Sequence, residues 1–236
     1  MRVPLLAFCL LIAATAPAAG QTPRFYGGGA LVYGSPQGDF ANQIDQAFGV
    51  RGHLLYRIDR DGWLALRADG GALIYGQERF RVPLSSTIGG RVTVDVTTSN
   101  NIAFLGVGPQ MGVPTGRFRP YAHGFAGVTF LNTTSSVSGT RNGESDPFAS
   151  TTNLNDATFA YGGGTGIYIP LRGGHSPISL DIGLTYHRSG EASYLREGDI
   201  EDRPDGSIVI HPVHSRTDLL SLHVGISAGF PERGDR

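Results

Sequence analysis

The pattern with the widest chemical reach is His187-Arg188-Ser189, with Glu191 two residues on. A His and a Ser two apart share one face of a strand. There an imidazole can act as general base for the hydroxyl if a carboxylate such as Glu191 orients it. The chemistry would be hydrolysis of an ester or amide. His-x-Ser is common by chance, so the pattern is only as good as the surface it opens onto. A second set is acidic: Asp199, Glu201, Asp202 and Asp205. Their spacing departs from the Asp-x-Asp-x-Asp-Gly arrangement of a calcium loop, and Asp202-Arg203-Pro204-Asp205-Gly206 reads as the tip of a solvated hairpin. Gly27-Gly28-Gly29 follows an aromatic residue, as phosphate-binding turns do, but such a turn needs a helix behind it. Ser35-Pro36-Gln37-Gly38 follows instead. The seven His show no ligand-pair spacing on one element, so neither metal nor cofactor is expected. The net charge of −1 offers no nucleic-acid footprint.

The elements that position these residues are strands. Asp218–Phe230 alternates Leu220, Leu222, Val224, Ile226, Ala228 and Phe230 against Ser221, His223, Gly225, Ser227 and Gly229. A period of two puts one face of the strand in an apolar medium. Upstream, Arg24–Gly34 is a Gly-rich strand. Phe48–Ile58 sets Phe48, Val50, Leu54 and Tyr56 against Arg51, His53 and Arg57. After the Asp59-Arg60-Asp61-Gly62 turn, Trp63–Tyr75 sets Leu64, Leu66, Ala68 and Ile74 against Arg67 and Asp69. Arg91–Met111, Phe118–Leu131, Ala157–Leu171 and Pro177–Arg188 supply four more strands. In the last of these Asp181 and His187 oppose Ile178–Tyr186. The long connections are Ser35–Gln46, Gln77–Gly90, Asn132–Asp156 and Ser189–Thr217.

Reading Arg91–Met111 as one strand gives eight. The connections then alternate long and short, with every short turn at one end. That sorting, with an even strand count, marks a transmembrane barrel with short periplasmic turns. The charges choose the faces. An unpaired Arg at the bilayer midplane costs about 2–4 kcal/mol, so Arg51, His53, Arg57, Arg67, Asp69, Asp181 and His223 are expected to line the lumen as a paired polar network. Leu220, Leu222, Val224, Ile226 and Phe230 face lipid, and their strand closes the barrel against Arg24–Gly34.

The N-terminus reads as an export signal: Arg2, an apolar run Leu5–Ala14, then small residues to Gly20. Cleavage fits after Ala18 or Gly20, and Gly20 is preferred. The expected organisation is a signal peptide over 1–20, a barrel over 21–230 and a short tail over 231–236. The single Cys, Cys9, lies inside the signal.

With that signal, the loop rhythm, Pro120-Tyr121-x-x-x-Phe125-x-Gly127 and a last strand ending on Phe230, the chain resembles small outer-membrane β-barrel proteins of the OmpA-transmembrane-domain and OmpX-like type. The resemblance spans about residues 22–230. It implies an all-β, eight-stranded antiparallel up-and-down barrel in the bacterial outer membrane, surrounded by lipid and lipopolysaccharide. It also implies insertion by the barrel-assembly machinery through the terminal aromatic, although six residues follow Phe230 here. The expected role is structural or surface-interacting, with a ligand at the long loops, and non-enzymatic. Two alternatives stand beside it. Outer-membrane lipid A deacylases are also eight-stranded and carry a His-x-Ser pair, which makes His187, Ser189 and Glu191 candidates for a lipid A-modifying hydrolase. Strand parity turns that pair toward the lumen, however, away from the lipid. The other alternative is a narrow small-solute channel.

Overall fold

The computed structural model describes residues 23–83, 93–139, 147–174, 176–203 and 208–230. The expected signal peptide, the tail and the 204–207 hairpin tip, with Asp205, lie outside the described residues. Eight long strands form one closed antiparallel ring: β1 (Phe25–Pro36), β2 (Ala47–Arg57), β3 (Leu64–Pro83), β4 (Thr93–Gly112), β5 (Arg119–Gly139), β6 (Pro147–Arg172), β7 (Ile178–Ser189) and the closing strand Leu219–Phe230. Four short strands precede the closing one: β8 (Glu191–Tyr194), β9 (Ile200–Asp202), β10 (Ile208–Ile210) and β11 (Val213–Arg216), which makes Leu219–Phe230 β12. β12 closes on β1 from Phe25 opposite Phe230 to Pro36 opposite Leu219. Closure leaves no strand edge inside the membrane, as a lipid environment requires.

The faces fall as alternation predicts. Leu31, Val50, Leu54, Leu66, Leu105 and Val224 are exposed on the outside, while Arg51, His53, Arg67, Asp69, Asp181 and His223 are buried inside. Aromatic residues mark both rims of the outer band. Phe25 meets Tyr56 at the periplasmic rim with ring centroids 4.9 Å apart, and Tyr33 meets Phe48 at the outer rim at 5.2 Å. Within β1 and within β2 these positions are eight residues apart. That is about 26 Å along the strand, or roughly 20 Å of height at a tilt of about 40°, close to the apolar band of outer-membrane barrels.

Two connections read as loops, Gln77–Gly90 and Asn132–Asp156, are partly strand. β3 continues to Pro83, β5 to Gly139, and β6 begins at Pro147. With β4 they rise beyond the ends of β2 and β7 as a four-stranded sheet. Ser189–Thr217 is likewise not structureless. β8 pairs with β11, and β9 with β10. Above the membrane both faces of a sheet meet water, so Ser, Thr and Asn occupy both faces and the alternation that reveals a strand disappears.

Glycine makes room inside the barrel. A Cβ at Gly166 would stand 2.4 Å from Tyr121 Oη, and one at Gly28 would stand 2.4 Å from His53 Cε1. The bulky lumen residues thus fit because the residue paired with each on the neighbouring strand has no side chain.

Candidate functional site

The centre of the lumen is a buried network built from opposite walls. β3 supplies Asp69, which bonds the Arg51 guanidinium of β2 and accepts from Arg67 Nε at 2.8 and 3.0 Å. Arg67 Nη1 donates to Gln110 Oε1 at 2.7 Å and to Tyr168 Oη at 3.0 Å. Arg51 Nη1 donates to Thr185 Oγ1 at 3.0 Å and lies 3.2 Å from His223 Nδ1. An Arg has no proton acceptor, so His223 Nδ1 accepts and its Nε2 carries the proton toward Tyr121 Oη, 3.2 Å away. Tyr121 in turn donates to Asp181 Oδ1 at 2.7 Å. His53 Nε2 reaches Ser227 Oγ at 3.1 Å. Tyr121 and Tyr168 stack at 4.5 Å, and the Arg67 guanidinium lies 5.6 Å from the Tyr121 ring centroid. The network ties together seven of the eight walls, all but β1, and each charge in it meets an opposite charge or a dipole. That is the condition for burying charge at tolerable cost.

Of the residues expected in this network, six are brought together. Arg57 is not among them. It points inward, but its guanidinium lies over the Tyr26 ring, 4.7 Å from the centroid, at the periplasmic mouth. Its position near the strand end places it below the cluster. Gln110, Tyr121, Tyr168 and Thr185 escaped sequence reasoning because they carry no charge to mark them against lipid. Their inward parity was the one available signal.

Both ends of the lumen are filled differently. The outer end is closed by an apolar cap in which loop residues Phe40, Ile44 and Tyr194 pack on Leu73, Tyr75 and Leu219 from the wall. Arg196 fastens the cap. It donates to Asp199 Oδ2 at 3.0 Å and Oδ1 at 2.9 Å, and reaches Gln43 on the other loop. The periplasmic end holds a cavity of about 50 Å³, room for a few waters, lined by Tyr26, Arg57, Trp63, Gln110, Arg119 and Tyr168 among others.

The hydrolytic candidates do not assemble. His187 and Ser189 are buried in the lumen. The His187 ring packs between Phe104 at 4.9 Å and Phe125 at 4.7 Å, and Ser189 Oγ lies 3.4 Å from Thr129 Oγ1. Among the described residues no hydrogen bond joins His187 to Ser189. Glu191 is exposed on β8 and lies 3.5 Å from His214 Nε2, while His214 Nδ1 lies 3.2 Å from Ser193 Oγ. This Ser-His-Glu set has the right members on the wrong ground. Its Glu and His are two-thirds exposed. The Ser193 N–H, a natural oxyanion donor, is taken by Asp156 Oδ2 at 2.7 Å. Ser193 and His214 face each other across β8 and β11, so the contact is a cross-strand polar pair. Two of the acidic residues are likewise engaged locally: Asp199 pairs with Arg196, and Glu201 lies 3.7 Å from exposed His211.

A closed eight-stranded ring with an apolar outer belt, aromatic rims and a filled polar lumen is a transmembrane β-barrel. A family model described as the outer membrane protein beta-barrel domain matches residues 5–203, and the chain belongs to that family; it is a bacterial outer-membrane protein. Its solved relatives in shape include Neisserial surface protein A, at 12% identity over 87% of this chain and 97% of that one, with a TM-score of 0.47. The attachment invasion locus protein Ail of Yersinia pestis is similar at 12% identity over 89% and 100%, with a TM-score of 0.46. The N-terminal β-barrel domain of Pseudomonas aeruginosa OprF is similar at 15% identity over 88% and 99%, with a TM-score of 0.33. No curated protein matches the chain.

Proposed function

We propose that the protein is a non-enzymatic surface-interaction module whose working part is the four-stranded sheet above the membrane. The observation that carries this is the pair of open edges. Among the described residues β2 pairs with β3 only as far as Ile74, so Gln77–Pro83 has β4 alone as a strand neighbour. Among the described residues β7 pairs with β6 only from Ala160, so Pro147–Leu154 has β5 alone there. An open edge invites strand addition by another chain. The β3 edge is blunted by Arg79, Arg81 and Pro83, the devices that discourage pairing. The β6 edge, Phe148-Ala149-Ser150-Thr151-Thr152, is exposed and carries no charge. It is the docking strand for an extended segment of an extracellular partner. The filled lumen and the dispersed His187, Ser189 and Glu191 favour neither the channel nor the hydrolase.

Ser150→Pro and Thr151→Pro test this separately, because alternate residues turn their N–H toward the open edge. One of the two should abolish capture of host-surface or matrix proteins by whole cells while surface display is unchanged. Undiminished capture by both variants would refute the docking role. Phe230, at the periplasmic rim opposite Phe25, is proposed as the aromatic read by the assembly machinery. Phe230→Ala should lower the assembled yield in cells but leave refolding of purified chain intact. An unchanged cellular yield counts against that role.

A further inference from the structure

We propose that the periplasmic mouth of the lumen is a binding site for a small anion, a phosphate or carboxylate group, held between Arg57 and Arg119. The site lies at the end opposite the docking sheet and does not depend on it. Arg57 and Arg119 line one cavity, and among the described residues that line it none is acidic. Each Arg is held by a periplasmic turn. Arg57 lies over the Tyr26 ring at 4.7 Å. It also packs against Gly62, where an added Cβ would stand 3.1 Å from Arg57 Nη1 and where φ is +79°. Arg119 donates through Nε to Gly116 O at 3.2 Å, which leaves the two Nη groups of that fork for a ligand. Among the described residues neither Arg57 nor Arg119 forms an ion pair.

One carboxylate of the β2–β3 turn is already committed. Asp59 accepts from the Trp63 and Leu64 backbone N–H groups at 2.9 Å each. Behind the two Arg, the cavity wall continues into hydroxyl and amide groups of Ser179, Ser227 and Gln110. Gln110 and Tyr168 are fixed by Arg67 from above, so the floor is pre-organised and a third guanidinium stands behind it. Two positioned guanidiniums over a polar floor suit bidentate recognition of an oxyanion. The size of the cavity limits what enters it to a small anion or the anionic tip of a larger molecule. Two sources meet that description at this height: a soluble periplasmic anion, and the phosphate of an inner-leaflet phospholipid headgroup.

Trp63 lines the same cavity and is the single Trp of the chain, so its fluorescence reports occupancy directly. The barrel, folded in a nonionic, phosphate-free detergent, is titrated with inorganic phosphate and with acetate at constant ionic strength set by chloride. A parallel arm compares nanodiscs of zwitterionic and anionic phospholipid. We expect a saturable Trp63 change that weakens roughly tenfold in each of Arg57→Gln and Arg119→Gln and is lost in the double variant. It should persist in Arg172→Gln, which alters a rim residue outside the cavity. Heat-modifiable gel mobility verifies that each variant is folded. A response in detergent assigns the site to soluble anions. A response confined to anionic nanodiscs, and dependent on Arg57, assigns it to headgroups. No response to any probe, or a response that the double variant retains, overturns the proposal.

Discussion

Asp69→Asn isolates the energetic centre of the barrel. Asp69 is the carboxylate that both Arg51 and Arg67 reach, and side-chain exposures are 8%, 2% and 1% for the three. Asparagine keeps the shape and an acceptor but removes the charge. Arg cannot shed its proton to escape, so two guanidiniums remain buried with dipoles alone for company. Breaking one buried pair by removing a partner costs about 3–5 kcal/mol, and here one substitution orphans two cations. Asp95 provides an internal control. It too bonds two Arg, Arg79 at 2.6 Å and Arg81 at 3.0 Å, but these are 59% and 64% exposed on the extension. Water can solvate both when the carboxylate goes, so Asp95→Asn should cost a small fraction of the Asp69→Asn loss. Urea unfolding in lipid vesicles, read by Trp63 fluorescence, measures both. Adding Arg51→Met to Asp69→Asn should restore part of the loss, because one orphan charge is removed. Equal losses for the two Asp variants, or no recovery in the double variant, would refute a lumen held by buried charge pairing.

Gly166→Val should destabilise the barrel by about 1–3 kcal/mol, since its Cβ would meet Tyr121 Oη at 2.4 Å and that ring is pinned between Tyr168 and Asp181. The same unfolding assay checks it, and a neutral result would mean Tyr121 is free to move. The outer cap should loosen in acid. Burial opposes ionisation of Asp199, but the bonds from the Arg196 side chain and backbone outweigh it and hold the carboxyl below its ordinary range. A depressed carboxyl contributes stability that is present above its unfolded value, near 3.9, and is lost as pH falls through the lower folded value. The protection of Tyr194–Asp199 against hydrogen exchange, relative to the intrinsic rate at each pH, should therefore fall below about pH 4, and already at neutral pH in Asp199→Asn. A protection factor that does not change with pH in the wild type would contradict the clasp. Finally, His187→Ala and Ser189→Ala should leave lipid A mass spectra unchanged, and an altered acyl pattern in either would reopen the hydrolase.

What was legible in the sequence follows from where water is. Inside the membrane one face of each strand must be apolar, so the parity of Arg67, Asp69, Asp181 and His223 could be read directly, and with it the eight strands and their closure. Above the membrane that constraint lapses. β5 and β6 therefore carry Asn132-Thr133-Thr134-Ser135 and Ser150-Thr151-Thr152-Asn153 with no period, and their rise passed for loop. The cap was hidden for a related reason. Phe40, Ile44 and Tyr194 are isolated apolar residues in polar stretches, and only the folded loops bring them over Leu73 and Leu219. Glu191 illustrates the limit of proximity in sequence. Two residues from Ser189, it lies past the turn at Gly190 and belongs to another sheet.

Everything in this barrel depends on which face of each strand meets lipid. Single cysteines at Ser221, Leu222, His223, Val224, Gly225 and Ile226, in a chain carrying Cys9→Ser and reconstituted in bilayers, can be spin-labelled and probed for collision with oxygen and with a water-soluble nickel complex. The account predicts strong oxygen accessibility at Leu222, Val224 and Ile226, and poor access to either reagent at Ser221, His223 and Gly225. Nickel accessibility along the whole strand, or oxygen accessibility at the His223 set, would contradict it.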